Sequence, residues 1–522
     1  MSKENKKITK AAAVVGTATL GSRILGFVRD MLIAGFFGAT GTIDAFYVAF
    51  KIPNMLRELF AEGSMSAGFI PVFTEYLTKE SPKEAKKLSD TIFTFLSLTL
   101  LGVIFLGVIF APYLVRVVAP GFVDNAEQFS LTVTLTRIMF PFLLFVGLAA
   151  LSMGVLNSLR SFAAPAIAPI TFNIVIIASV LYVLDLFESP VVILAAAVTL
   201  GGACQYFTQV PSLIKRKFFF SFSFTPKHPG MKRVVTLIIP TLFGLAITQI
   251  NITVDSILAS YLAAGSITFL YLGTRLMQFP LGVFSTAIST AVFPSMATFA
   301  AKNDKEGLID TVSFGTRLAF FITIPAMVGL VTLAVPITNI LFQRGEFTAA
   351  DTIGAALAVK YYCVGLWAYS GTRIFIKAFY SLKDTKTPVK VGVLAMVANV
   401  FFDLVLMGPM GHSGLALATA ISGSVNFTFL LFLLHKKLGR IDGAKIVRST
   451  VKICISAAIM GVFCYFMADN PIFTTNTGLL KRVGLVFLSI ISGAVIYLIA
   501  ALSLRCEELD FVKNMVLEKL KR

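Results

Sequence analysis

A chain of 522 residues with 57% hydrophobic and only 14% charged side chains, at a mean hydropathy of +0.85, falls outside the composition of soluble globular proteins. The surplus of Lys and Arg over Asp and Glu, 45 against 27, would suggest nucleic acid in a soluble protein. In a membrane protein it follows from the positive-inside rule, so no nucleic-acid partner is expected.

The basic start MSKENKKITK leads into a long apolar stretch with no small-residue cleavage site close behind, so no cleavable signal is expected. Apolar runs that read as helices follow near 9–38, 42–78, 89–118, 127–158, 166–186, 190–216, 232–262, 266–300, 308–342, 349–380, 388–408, 414–437, 446–468 and 479–504. Several exceed the roughly 20 residues a crossing needs and should tilt, kink or project into water. Pro53, Pro141, Pro240, Pro280 and Pro325 are the expected kink points. The five cysteines show no CxxC spacing and mostly sit in apolar runs, which argues against disulfide or metal roles.

The loops alternate in charge. Basic ones surround Lys79–Lys87, Lys215–Arg233, Lys383–Lys390 and Lys436–Arg448, while the intervening ones carry few Lys or Arg. Both ends then lie in the cytoplasm and the number of spans is even. Lys481 and Arg482, at the outer end of the last run, break the pattern.

The chain also repeats itself at an offset of about 224 residues. Asp30-Met-Leu-Ile-Ala34 matches Asp255-Ser-Ile-Leu-Ala259, Phe69-Ile-Pro71 matches Val292-Phe-Pro294, and Ser158-Leu-Arg160 matches Ser381-Leu-Lys383. An offset spanning six helices makes the copies parallel. The expected fold is an all-α polytopic membrane protein of about fourteen transmembrane helices, N-in and C-in. Two six-helix lobes occupy 1–220 and 225–440, and two further helices with a cytoplasmic tail occupy 441–522.

No HExxH, GxSxG, GxGxxG or P-loop pattern occurs, and the three histidines lie in or beside loops. A binding and transport pathway without covalent chemistry is the better expectation.

Its residues should be those that lipid would reject. Arg23 and Arg29 lie on the first run, about 120° and 9 Å apart on a helix. On the second, Asp44, Lys51 and Glu58 form a seven-residue stripe beside Arg57, with Glu62 one turn on. Arg275 stands alone in LYLGTRLMQFP. Each such charge at mid-membrane costs about 2.5–3.5 kcal/mol on insertion scales, so these groups should line a polar cavity between helices. Arginine suits phosphate because its planar fork meets two oxygens at once. The bland alternative is internal ion pairing, as between Arg29 and Asp30 or Arg57 and Glu58.

A second group is oxygen-rich: Asp255, Asn399 and Asp403 one turn apart, and Thr419. It suits a monovalent cation or a proton, with a helix-packing hydrogen-bond cluster as the alternative. Finally, Lys215-Arg-Lys-Phe-Phe-Phe heads the longest cytoplasmic loop and suggests an interfacial segment touching anionic lipid, although ordinary inside charge explains it as well.

GSRILGFVRDMLIAGFFGA, DAFYVAFKIPNMLRELFAEGSMSAGFIPVF, RLMQFPLGVFSTAISTAVFP and LFQRGEF closely resemble the MurJ/MviN family of bacterial lipid II flippases in the MOP transporter superfamily. The resemblance implies fourteen helices, two lobes around a central cavity, a lipid-lined groove near the last two helices, and a multi-pass protein of the bacterial inner membrane. Its cavity arginines fall on Arg23, Arg29 and Arg275, with Asp30, Asp44, Lys51, Arg57 and Glu62 as further motif positions. The acidic residues flanking the second-lobe arginine in some members are here Thr274 and Gln278.

The implied partners are a lipid-linked oligosaccharide substrate, membrane lipids and the cell-wall synthesis machinery. The implied state is a monomer, with no cofactor beyond a coupling Na+ or H+. The rival readings are a drug or cation antiporter of the same superfamily, for which three cavity arginines are ill suited, and a non-transporting scaffold for wall synthesis.

Overall fold

The computed structural model describes residues 3–59, 65–225, 228–470, 473 and 478–509, and among these the chain forms helices and no strands. It divides into two compact units, Met1–Gly265 and Ser266–Arg522.

The first unit opens on α1 (Lys3–Phe37) and α2 (Gly41–Arg57), followed by π-helical turns at Met65–Phe69 and Tyr76–Glu80 that flank α3 (Ile70–Glu75). Next come α4 (Pro82–Ile109) and the short α5 (Ala111–Val118). Ser81 caps α4 by accepting the Glu84 N–H at 3.2 Å, and Pro82 fits the first turn, where no N–H is needed. The unit continues with α6 (Ala126–Met139), α7 (Phe142–Ser158), α8 (Ala163–Tyr182), α9 (Pro190–Phe207), α10 (Val210–Lys215) and α11 (Pro229–Ala259). Helix α8 packs between α1 and α9, α2 lies on α6, and α11 rests on the Met65–Phe69 turn, α3, α4 and α5.

The second unit comprises α12 (Ser266–Pro280), a π turn at Leu281–Ser285, α13 (Thr286–Ala301), α14 (Lys305–Thr332), α15 (Ala334–Phe342), α16 (Ala349–Val364) and α17 (Leu366–Ser381). It closes with α18 (Lys386–Met410), α19 (His412–Leu438), α20 (Gly443–Ala468) and α21 (Leu479–Ser503). Its core joins α13, α14, α17, α19 and α20 around Phe320, Phe375, Leu430 and Ile453, with the Phe375 and Phe427 rings stacked at 5.1 Å.

Within the described residues, the apolar runs expected from the sequence are helical, several in two or more pieces. Among the described residues, ten helical stretches are long and apolar enough to cross a membrane. Helices α1 and α2 are not among the ten, consistent with the charges they carry. Of the expected kink points, Pro141 and Pro280 sit at interruptions, whereas α-helix continues through Pro53, Pro240 and Pro325. A helix can absorb a proline when neighbouring elements satisfy the freed carbonyl.

Two positions matched in the sequence repeat end helices in the same turn, one that Lys217, Asn303 and Arg505 also adopt. Arg160 and Lys383 both adopt positive φ, at 55° and 58°. In each turn the next N–H reaches back five residues, Ser161 to Leu156 at 2.8 Å and Asp384 to Phe379 at 3.0 Å.

The LFQRGEF stretch is absorbed by local architecture. Arg344 donates to the Ile340 and Leu341 carbonyls at the end of α15, Gly345 takes φ 54°, and Phe347 is buried against Phe342. Gln343 accepts from Asn339 at 2.6 Å and Thr352 at 3.1 Å. Arg482, half of the charge anomaly noted above, donates to Asn339 at 3.0 Å and so joins α21 to α15.

Candidate functional site: cations held inside the membrane-spanning helices

In the first unit Arg29 is 7% exposed, and its Nε and Nη2 both donate to Asp30 Oδ1, at 3.0 and 2.7 Å. Its Nη1 donates to Asn173 Oδ1 of α8 at 3.1 Å, and the Phe172 ring centroid lies 5.8 Å from the guanidinium carbon. Asn173 also donates to the Ser22 carbonyl at 3.2 Å, tying α8 to α1 about two turns before the arginine as well. The internal pair foreseen as the bland alternative is therefore present, as is the one between Arg57 and Glu58 at 3.5 Å. Arg23 is different: it is exposed on α1 and makes no side-chain hydrogen bond or ion pair among the described residues.

The seven-residue stripe on α2 is real, and its partner is α11 together with the turn that follows. Asp44 is buried and accepts the Gly265 N–H at 2.6 Å, where φ of 90° suits glycine. Lys51 donates to the Ile252 carbonyl at 2.5 Å and to the Ser256 hydroxyl. Glu58 accepts from Gln249 at 2.5 Å. As the stripe advances along α2 its partners recede along α11, so the two segments are zipped antiparallel. The charges of Asp255 and Glu58 both act on Lys51, which places Asp255 at this seam. Arg57 donates to Asn54 at 2.9 Å. Glu62 lies outside the described residues.

In the second unit Arg275 is exposed, and its Nε and Nη2 donate to the Tyr271 hydroxyl at 3.2 and 3.0 Å. Its guanidinium carbon lies 5.2 Å from the centroid of the same ring, so an aromatic one turn earlier holds the charge. Asn399 and Asp403 are buried together on α18, with the amide donating to the carboxylate at 2.5 Å. Thr419 donates to the Leu415 carbonyl of its own helix at 3.0 Å, leaving its oxygen lone pairs able to accept. Of the oxygen-rich group, the fold thus brings Asn399 and Asp403 together. Asp255 belongs to the first unit.

Sequence reasoning missed Asn173, Gln249 and Tyr271, which are uncharged and carry no local signal. It also missed Arg373 on α17, which donates to the Leu281 carbonyl at 3.2 Å and to the Thr286 hydroxyl, bracing the π turn that follows α12. That residue had a signal, since a lone arginine in an apolar run is what singled out Arg275.

Cations on largely apolar helices, some against carboxylates and others against neutral oxygens and rings, define a polytopic membrane protein. Comparison with known proteins makes this specific. The family model described as lipid II flippase MurJ matches residues 33–483, and the chain belongs to that family.

A probable lipid II flippase MurJ of Vibrio cholerae is 35% identical over 516 residues, covering 96% of this chain and 98% of that protein. The lipid II flippase MurJ of Burkholderia cenocepacia is 35% identical over 434 residues, covering 82% and 84%. A solved structure of lipid II flippase MurJ in an inward closed conformation superposes with a TM-score of 0.77 at 26% identity, covering 94% of this chain and 99% of that one. An inward-facing MATE transporter of the MOP superfamily shares the fold, at a TM-score of 0.67 and 14% identity. The protein is thus a multi-pass protein of the bacterial inner membrane.

Proposed function

We propose that this protein is a lipid II flippase, carrying the undecaprenyl-diphosphate-linked disaccharide-pentapeptide from the inner to the outer leaflet by alternating access. The observation that carries the reading is Arg23, an exposed guanidinium on α1 with no ion-pair partner among the described residues, in a chain of the MurJ family. A diphosphate supplies the missing counter-charge in the form arginine binds best, two oxygens at a time. Arg29, on the same helix, is a further diphosphate ligand, and Arg275 offers one in the second unit. Asp30 and Asn173 hold Arg29 in a fixed orientation, and Tyr271 holds Arg275.

The acidic and amide groups nearby contact sugar and peptide, and the lipid tail stays beside α20 and α21. No covalent chemistry is required. Outward movement of negative charge across an inside-negative membrane is favoured by about 2.3 kcal/mol per charge per 100 mV. A Na+ or H+ taken up at Asp255 in the first unit, or at Asn399, Asp403 and Thr419 in the second, resets the carrier. A cationic drug is a poor alternative substrate beside Arg23, which has no ion-pair partner among the described residues.

The test is a leaflet assay in proteoliposomes with fluorescent lipid II, run with and without a sodium gradient. Native protein should move the label between leaflets, and Arg23→Gln should lose that activity while melting at an unchanged temperature. Unimpaired flipping by Arg23→Gln would refute the diphosphate role, and no flipping by the native protein under any gradient would refute the function.

A further inference from the structure

The segment between α10 and α11 has a construction that inside charge alone does not explain. Lys217 closes α10 with φ of 62°, and the Phe218 N–H reaches back to the Leu213 carbonyl at 2.9 Å, turning the chain sharply onto α4. From there it runs extended along that helix, fixed by its backbone. The Ser221 N–H donates to Asp90 Oδ1 at 3.0 Å and the Ser223 N–H to Thr94 Oγ1 at 2.8 Å. Two phenylalanines turn inward and are buried, Phe218 against Phe73 at 5.8 Å and Phe220 stacked on Phe93 at 4.9 Å. Three do not: Phe219, Phe222 and Phe224 are 47%, 77% and 71% exposed. Lys215, Arg216 and Lys217 are exposed just before them, and 215–225 contains no acidic residue.

The depth of this segment follows from α4. Its start carries Lys83, Lys86 and Lys87 and so lies on the cytoplasmic side. Counting back from Ile109, the end of α4, a hydrocarbon core of about 30 Å spans about 20 residues and reaches Asp90. The anchoring bonds at Asp90 and Thr94 therefore sit at the inner boundary between headgroups and acyl chains. Exposed phenylalanines at that level face lipid, and the three cations beside them face headgroup phosphates.

We propose that residues 215–224 form a membrane-inserted interfacial anchor that selects anionic phospholipid of the cytoplasmic leaflet. The phenylalanines enter the acyl boundary, and the Lys215–Lys217 cluster supplies the preference for negative headgroups. Each cation near an anionic surface contributes up to roughly fivefold in local lipid preference.

Trp367 is the sole tryptophan, so Phe222→Trp in a Trp367→Phe background gives a single reporter in the full-length protein. The probe is reconstituted with brominated phosphatidylglycerol or brominated phosphatidylcholine. Quenching is expected from both lipids and stronger from phosphatidylglycerol, with the two becoming equal in Lys215→Gln/Arg216→Gln/Lys217→Gln. Phe224→Trp in the same background reports independently should the first reporter disturb folding. No quenching by either lipid would place the segment in water and overturn the proposal. Equal quenching before the cations are removed, or a phosphatidylglycerol preference that survives their removal, would overturn it as well.

Discussion

Replacing Asp30 by leucine separates what the Arg29 cluster does for stability from what it does for transport. The carboxylate takes two N–H bonds from the guanidinium, at 3.0 and 2.7 Å, and both partners are almost wholly buried. Arginine cannot shed its proton, so the variant takes the carboxylate from a charge that keeps the Asn173 bond and the Phe172 face. Losing two charge-assisted hydrogen bonds at about 1.5–3 kcal/mol each agrees with the roughly 3–5 kcal/mol typical of breaking a buried ion pair. The double variant Arg29→Leu/Asp30→Leu removes the stranded charge together with its partner and should regain most of that loss. Fluorescence-detected melting in detergent is expected to rank native first, the double variant close behind, and Asp30→Leu well below. In cells depleted of their own flippase the double variant should nevertheless fail to support growth, because a diphosphate ligand is gone. A double variant that melts as low as the single would show that the pair is not coupled, and one that sustains growth would refute Arg29 as a ligand.

Three further outcomes can be stated. Glu508→Ala should destabilise the second unit by about 3 kcal/mol or more, because the buried carboxylate accepts from Arg317 at 2.5 Å and Ser449 at 2.9 Å. Glu507→Ala, which removes a carboxylate 68% exposed on the same arginine, should cost under about 1 kcal/mol in the same melting assay. A methyl group at Gly121 would run into the Ser260 backbone carbonyl, so Gly121→Ala should lower stability by roughly 1–3 kcal/mol, while Gly408→Ala, which meets nothing within 4 Å, should not.

The last outcome concerns pH. His228 caps α11 by accepting the Gly230 N–H at 3.1 Å, and burial, followed by the charge of Lys87, holds its pKa below the ordinary histidine value, with Glu84 opposing. The unfolded chain therefore binds a proton more readily than the folded one. Stability should be full above about pH 6.5 and fall as the pH drops below it. Melting curves from pH 7.5 to 5 should show that decline, and His228→Asn, which keeps a capping oxygen, should flatten it.

The helices were legible because a run of some twenty apolar residues is a local property that packing cannot disguise. The α2 stripe was legible for a similar reason, since a seven-residue spacing of Asp44, Lys51 and Glu58 fixes one helix face whatever lies opposite. Its partner was not. Gln249, Thr253 and Ser256 are ordinary residues in an apolar run, and only the fold brings α11 alongside. The same holds for Arg275: with Thr274 and Gln278 where some family members have acids, its support was open in the sequence, and Tyr271 supplies part of it. The proline interruptions were half legible, because whether a helix breaks depends on what satisfies the freed carbonyl and not on the proline alone.

The zipper between α2 and α11 is made of interchangeable parts. Along α11, Gln249, Thr253, Ser256 and Ser260 offer an amide or a hydroxyl at every turn. A slip of one turn, about 5.4 Å, would carry Glu58 from Gln249 to Thr253 and Lys51 from Ser256 to Ser260, while Asp44 would give up the Gly265 N–H. Two of the three contacts along this seam could thus be re-formed after sliding, at the loss of the Asp44–Gly265 bond that pins its end.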